Sequence, residues 1–424
     1  MPAMQVPVLI ITYYWPPSGG AGVQRWLRLS KYLLQLGWEP FILTIKPEYA
    51  TYPALDTSLE KDVSPEIKVF RTKATDWFTI YSHDKSKVPS SGFANSSDTS
   101  LKEKFIRFIR GNFFIPDPRR GWNKYAFKKA CELIEKEGIR HVITTSPPHS
   151  TQLIGLKIKK RYPALMWIAD LRDPWTDIYY YDQFYPTFLA RQIDSWYEKR
   201  VLRNADKITT VGPSLKNTFS LKVSEVADKT EVITNGFDDA DFKTLTADKP
   251  PIFTITYAGT ISNKYPIDGF LKALNKIRKN DIDFLLRFVG TVPGNIQEQI
   301  MTDVLKDSTK FIPYAHHDEA IKYMINSSML LLVIPEHNNN KNVITGKIFE
   351  YIASGKPILC LGPEDGDAAV ILAQSGSGIC CAYGDIIKIE NFILSVISNT
   401  HDQETKTDEF MYKNIAKKLV SFIG

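Results

Sequence analysis

The sequence predicts an α/β protein of two doubly wound domains, and three observations carry that prediction. Apolar runs of strand length alternate with amphipathic helical stretches almost throughout the 424 residues. The runs are continuous and rich in β-branched residues, which marks strands covered on both faces and therefore parallel sheets. The rhythm breaks once, around 237–252, at FDDADFKTLTADKPPI, and restarts with a clean strand. That polar stretch with two adjacent prolines reads as an interdomain linker.

Taken in order, the first half offers strands at 6–12, 40–44, 67–72, 141–146, 166–171, 207–212 and 231–236. The second half offers 253–259, 284–290, 309–314, 329–335, 356–362 and 378–384. Helices between them make right-handed βαβ units. A lone helix over roughly 404–422 has no strand after it and is expected to pack back on the first domain. The expected domains are 1–245 and 246–403, followed by the returning helix at 404–424.

Composition narrows the class. Hydrophobic content of 43% and charged content of 24% are those of a globular protein with ordinary cores. A net charge of +6 suits anionic ligands or a lipid surface and does not demand nucleic acid. Cys131, Cys360, Cys380 and Cys381 have no CxxC spacing and read as reduced core thiols. The N-terminus has no basic region leading into a cleavable apolar segment, and no apolar run reaches the ~20 residues of a spanning helix. A cytoplasmic protein is expected.

One segment departs from the α/β rhythm. Residues 82–100 are polar and Ser-rich, as in a loop. The stretch LKEKFIRFIRGNFFIPDPRRGW follows, with Phe105, Ile106, Phe108, Ile109, Phe113 and Phe114 forming an apolar face. Lys102, Lys104, Arg107, Arg110, Arg119 and Arg120 surround it. The pattern suits an interfacial helix on an anionic membrane through 102–120. It equally suits a helix packed on the first domain with its basic residues in solvent.

The loop YYWPPSGGAGVQRW, 13–26, closes the first strand and opens a helix at about Ala21. Such a loop lies at the mouth of an α/β site. Gly19, Gly20 and Gly22 let backbone N–H groups approach a ligand, and the helix start adds free amides and a positive dipole end. A phosphate or a sugar hydroxyl fits there. The spacing is one residue short of GxGxxG and no acidic residue ends the second strand, which argues against a nicotinamide dinucleotide. GxxxxGK[ST] is absent.

A second constellation is TGKIFEYIASGKPIL, Thr345 to Leu359. Lys347 and Glu350 are three apart and share one helix face. A cation in the first turn of a helix is poorly placed unless an anion joins it, and a diphosphate supplies one. Glu350 could accept two ribose hydroxyls. The competing reading is an ordinary i,i+3 ion pair.

PPSGG after the first strand, ADLRDPW (169–175), ITNGFD (233–238) and GKIFEYIASGKPIL together resemble a family-4 glycosyltransferase of the GT-B type, bacterial and of the surface-polysaccharide kind. The resemblance spans essentially the whole chain. It implies two Rossmann-like domains facing a central cleft, with a nucleotide-diphosphate sugar mainly on the second and a glycan or lipid-linked acceptor on the first. Glu350 falls at the family's ribose-binding glutamate, and Lys347 at the basic residue of the KxxEY variant. Thr345 and Gly346 would offer amides to the diphosphate, as would Gly19 and Gly20, and Ile312 to Tyr314 would face the base. Gly259 opens the loop that in relatives carries a basic phosphate clamp. Thr260 stands where the arginine is usual, which leaves Lys264 as the candidate.

The family's Glu-x7-Glu pair is broken, because Asn342 stands eight residues before Glu350. His149 of SPPHS matches a histidine beside the transferred sugar, with capping of its own helix as the competing reading. Arg172 and Asp173 would contact the acceptor, while Asp170 reads as structural.

The resemblance implies hexosyl transfer with retention and without a metal or other cofactor. Lys264, Lys347 and the glycine amides would stabilise the departing diphosphate. The Asp-x-Asp triplets at 239–241, 281–283 and 365–367 are not placed to chelate it, and adjacent His316 and His317 cannot share a helix face. Two rivals stay open: a nucleotide-sugar epimerase of the same fold, and a weakly active scaffold of a polysaccharide assembly complex, which Thr260 and Asn342 keep in play.

Overall fold

The computed structural model describes residues 5–75, 100–243, 248, 250–263, 265–301, 304–313, 315–400 and 405–424. The chain divides into two compact units, Met1–Thr234 with Tyr412–Gly424, and Asn235–Met411.

The first unit holds a parallel sheet of seven strands: β1 (Val6–Ile11), β2 (Trp38–Ile45), β3 (Lys68–Thr72), β4 (His141–Ser146), β5 (Met166–Leu171), β6 (Lys207–Thr210) and β7 (Thr230–Val232). Their order is β3-β2-β1-β4-β5-β6-β7. The second unit holds six: β8 (Phe253–Ala258), β9 (Phe284–Val289), β10 (Thr309–Ile312), β11 (Met329–Val333), β12 (Ile358–Leu361) and β13 (Gly378–Cys381), ordered β10-β9-β8-β11-β12-β13. Each expected strand appears, often trimmed by a residue or two. The continuous apolar runs are buried on both faces: Val8 to Ile11 and Met329 to Val333 are all at most 2% exposed. Helices cover both sides, as a parallel sheet requires.

In each sheet the strand order reverses once, between β1 and β4 and between β8 and β11. Loops leaving the carboxyl ends of those strands diverge and leave a crevice. The glycine loop follows β1, SPPHS follows β4, Gly259 follows β8, and the Asn-rich loop with the Lys347 helix follows β11. These four loops therefore stand at a switch point, whereas ADLRDPW follows β5 and ITNGFD follows β7.

The passage between units comes at Thr234–Asn235, ahead of the expected boundary at 245. Phe237 is the reason. It is 6% exposed, packs against Phe349 and Phe410 in one core of the second unit, and donates its N–H to the Phe410 carbonyl at 3.0 Å. The polar stretch thus opens the second unit instead of linking two.

The C-terminal helix Tyr412–Ile423 belongs to the first unit. It buries Tyr412, Ile415, Ala416, Leu419 and Ile423 in the same core as Trp26 and Leu33 of the helix Ala21–Gln35. The helix Leu101–Phe113 starts on a Ser100 cap, whose Oγ accepts the Glu103 N–H at 3.3 Å, and buries none of its residues fully. The loop expected at 82–100 falls, but for Ser100, outside the described residues.

Candidate functional site

In the second unit the candidate residues converge at the carboxyl end of β8. β8 runs into Gly259, held at φ +120°, where a Cβ would stand 2.4 Å from Lys347 Cε. Only glycine lets the helix Lys347–Ala353 lay its first side chain across the strand end. Gly290, at φ +121°, is forced in the same way, since a Cβ there would stand 2.6 Å from the Gly259 carbonyl oxygen. Tyr351 ties the helix to the strand: the Ala258 N–H donates to Tyr351 Oη at 2.8 Å.

Lys347 Nζ donates to Tyr257 Oη at 2.9 Å and lies 4.5 Å from that ring's centroid. Tyr257 Oη donates in turn to the Thr260 carbonyl, 2.9 Å away. Among the described residues no carboxylate pairs with Lys347 within 4.0 Å, so the i,i+3 ion pair is not formed. Burial pushes the Lys347 ammonium down to about 8, with Glu350 opposing the shift. A buried cation held against a neutral phenol is short of a counter-charge.

Glu350 keeps 33% of its side chain in solvent, yet packing around the rest raises its pKa; His317 and Lys347 oppose the rise and Asp241 adds to it. His317 Nδ1 lies 4.0 Å from Glu350 Oε1, and its Nε2 lies 3.9 Å from Asp241 Oδ2. The Asp241 carboxylate, above all, raises the imidazole pKa. Thr345 Oγ1 is buried without a hydrogen-bond partner, and Gly346 beside it is exposed. The Ile312 carbonyl is already engaged, accepting the Gly290 N–H at 2.9 Å. Lys264 and Tyr314 lie outside the described residues.

Sequence reasoning missed His317, Tyr257 and Tyr351. The signal for Tyr351 was its place after Glu350 in FEY. His317 opens the helix that follows β10, so it sits at the sheet's carboxyl edge. It had been weighed only as a metal ligand.

The first unit shows a different picture. Gly19 is buried and donates its N–H to the Ala54 carbonyl at 2.9 Å. Its amide is therefore committed to the fold, contrary to the expectation that it faces a ligand. Gly20 is the open position: it is exposed, has φ +91°, and precedes the helix Ala21–Gln35 without any side-chain cap.

Asp170 is structural, as expected. It is fully buried and accepts from Arg25 Nη2 (3.0 Å), Trp26 Nε1 (2.8 Å), Thr145 Oγ1 (2.7 Å) and Thr209 Oγ1 (2.8 Å). These partners outweigh the burial that would raise its pKa and hold it below the ordinary carboxylate value. Arg172 donates through Nε to the Ser146 carbonyl (3.0 Å) and through Nη1 to the Gly22 carbonyl (2.9 Å). Asp173 is half-buried, and burial raises its pKa.

His149 does not cap its helix. It lies flat on Trp175, with ring centroids 4.9 Å apart and planes 12° apart. Burial pushes it down to about 4, so the imidazole is neutral near pH 7. Trp175 is held in turn by Asp194 Oδ1, which accepts its indole N–H at 2.7 Å.

Of the basic residues around the 102–120 segment, four are committed. Arg119 is 8% exposed and lies 5.8 Å from the rings of Tyr13 and Tyr14, while Arg120 donates to the Ile115 carbonyl at 2.6 Å. Arg110 stacks 3.5 Å over Phe184, and Arg107 pairs with Glu103 at 3.7 Å. Lys102 and Lys104 remain exposed beside Phe105 (63%) and Phe113 (71%).

Residues 237–418 match the family model described as glycosyl transferases group 1. No curated protein matches the sequence. Among solved structures, a glycosyltransferase from Rickettsia africae aligns at 14% identity and TM-score 0.58, over 99% of this chain and 94% of that one. A lipopolysaccharide outer core galactosyltransferase, WaaB, aligns at 13% and 0.58 over 99% of both chains. HepE of Anabaena, solved with UDP-glucose, aligns at 13% and 0.56 over 98% of this chain and 100% of that one. The fold is thus that of the GT-B glycosyltransferases. Residues 237–418, which make up most of the second unit, are the part that matches the group 1 family model.

Proposed function

We propose that the protein transfers a hexosyl group from a nucleotide-diphosphate sugar to a glycan or lipid-linked acceptor, with retention and without a metal, in bacterial cell-surface polysaccharide synthesis. The observation that carries the donor side is Lys347, a buried ammonium hydrogen-bonded to Tyr257 and short of an anion. A diphosphate placed there meets that charge and the start of the Lys347–Ala353 helix, with Thr345 and Gly346 beside it. Glu350, partly open to solvent, accepts ribose hydroxyls. The UDP-glucose bound to the Anabaena structure supports a nucleotide-sugar donor, and the lipopolysaccharide galactosyltransferase supports a surface-glycan role.

In the reaction the anomeric carbon–phosphate oxygen bond breaks and a bond from the same carbon to the acceptor oxygen forms on the same face. The acceptor proton passes to the leaving diphosphate. Lys347 stabilises the charge that develops on that leaving group. His149, neutral and fixed by Trp175, stands at the switch point of the first unit as a donor or acceptor toward the transferred sugar.

The first unit also rests on an anionic bilayer at the inner face of the membrane. Phe105 and Phe113 on one helix, and Phe188, Leu189 and Trp196 on the helix Phe188–Asn204, are exposed apolar side chains. The two helices carry a net of five positive charges, against six for the chain. This surface replaces the one drawn over 102–120, because Arg119 and Arg120 are engaged in the fold. If Lys102→Glu with Lys104→Glu and Trp196→Ser leaves sedimentation with anionic liposomes unchanged, this part is wrong.

The deciding experiment is calorimetric titration of UDP, GDP and ADP into wild type and Lys347→Ala, in EDTA. Micromolar binding of one nucleotide, lost in the variant, supports a metal-free diphosphate site and names the donor class. Binding of none moves the weight to the scaffold.

A further inference from the structure

We infer that Tyr257 is a positioning residue: its phenol oxygen holds the Lys347 ammonium at the end of β8 and keeps it from pairing with Glu350, which leaves the cation for a ligand oxyanion and the carboxylate for ligand hydroxyls. The inference rests on the nucleotide-sugar reading above.

The two charged residues ought to find each other. They stand three apart on the helix Lys347–Ala353, the spacing at which an ammonium and a carboxylate ordinarily meet. That pair would cancel the one charge at the strand end and occupy the carboxylate. Yet no contact between them within 4.0 Å is formed.

Tyr257 accounts for the lysine's side. It is 1% exposed, and its single O–H proton goes to the Thr260 carbonyl at 2.9 Å. The oxygen is thereby left as an acceptor, and Lys347 Nζ donates to it at 2.9 Å with the ring centroid 4.5 Å away. Burial raises the phenol well above its ordinary pKa, so it stays neutral and holds the charge without cancelling it. The lysine stem reaches that oxygen by crossing Gly259, where a Cβ would stand 2.4 Å from Cε and 2.5 Å from Nζ.

His317 accounts for the glutamate's side, with its Nδ1 4.0 Å from Glu350 Oε1. The carboxylate keeps a third of its side chain in solvent and sits on a long, mobile stem. A fixed oxygen with a ring face beside it outcompetes such a partner. An ammonium has three donors, and among the described residues only one is spent. An oxyanion takes another while the phenol bond stays. No ion pair has to be broken first, so the cation is preorganised.

The test compares four forms of the full-length protein: wild type, Tyr257→Phe, Glu350→Gln and the double variant. Tyr257→Phe keeps the ring and removes one oxygen, and Thr260, which loses a donor, is exposed to water, so folding is retained. The first readout is calorimetric titration of inorganic pyrophosphate at pH 7 in EDTA. Tyr257→Phe is expected to weaken binding about tenfold, and Glu350→Gln to restore most of that loss in the Phe background. With Tyr257 in place, Glu350→Gln changes the affinity less than about threefold. A merely structural tyrosine gives a loss that Glu350→Gln does not repair.

The second readout needs no ligand. Acetylation of Lys347 by limiting acetic anhydride across pH 6.5–11, followed by mass spectrometry, gives the titration midpoint of the amine. In wild type burial sets it at about 8, with Glu350 opposing. In Tyr257→Phe it rises, because a paired carboxylate favours the charged form, and in the double variant it falls back.

Pyrophosphate bound by Tyr257→Phe as tightly as by wild type, an equal effect of Glu350→Gln in both backgrounds, or a midpoint that fails to rise overturns the role of Tyr257. If wild type takes no pyrophosphate, the diphosphate reading fails, and the acetylation series still decides whether Tyr257 keeps the two charges apart.

Discussion

Arg25 in the first unit and Lys347 in the second are both cations packed against the end of a parallel strand, and they could hardly be treated more differently. Arg25 meets Asp170 at 3.0 Å, and Asp170 is met by three further donors. Lys347 meets a neutral phenol. In the first network the charge is answered, guanidinium by carboxylate, so it serves the fold. The second, among the described residues, lacks one negative charge, which is the ground for proposing a ligand there. Burial alone does not distinguish a structural ion from a functional one; the completeness of its partners does.

That contrast is broken or sharpened by four measurements. The largest effect belongs to Arg25→Ala, which leaves the Asp170 charge buried among neutral donors. The loss is about 3–5 kcal/mol of unfolding free energy, read by urea denaturation. An unchanged midpoint would mean that the closed network is not structural.

Lys347→Met should behave oppositely. Nucleoside diphosphate affinity falls about 10–100-fold, the size of one lost charge-assisted interaction, while thermal stability holds or rises. A collapse in stability would put Lys347 with Arg25.

The third is a pH dependence with two opposite signs. The folded Lys347 pKa, about 8, lies below its ordinary 10.5. Nucleotide affinity is full below that value and declines as pH rises through it, because the charge that meets the diphosphate is lost. Stability of the free protein rises over the same window, because the unfolded chain still binds the proton. Both trends vanish in Lys347→Met, and calorimetry across pH 6.5–9.5 reads the first.

The smallest effect is that of His317→Gln. His317 touches Glu350 and Asp241, not the lysine, so it should weaken nucleoside diphosphates several-fold and leave inorganic pyrophosphate unaffected. Equal losses for both ligands would mean that His317 acts on the phosphates.

Much of this was legible in the sequence. The strands were visible because continuous apolar runs have one economical fate, a sheet covered on both sides. Three-residue spacing placed Lys347 and Glu350 on one helix face, but by itself it favoured an ion pair, and only the family resemblance pointed to a donor site. What failed did so for reasons of contact. Gly19 looked like a ligand amide, but Ala54, far along the chain, takes its N–H. The 237–252 stretch looked like a linker because its polar residues outnumber Phe237, whose burial against Phe410 no local pattern reports. His317 was passed over because its partners come from 33 residues after it and 76 before it.

The sequence by itself determined the architecture, two parallel sheets with glycine loops at their carboxyl ends, since periodicity and backbone freedom are local properties. It also determined which residue types reach those ends. The tertiary structure alone decided which of their polar groups are satisfied. Whether Asp170 is met by four donors, or Lys347 by a phenol in place of a carboxylate, depends on atoms brought together from distant parts of the chain. Function here is written in what remains unpaired, and pairing is settled only when the chain has folded.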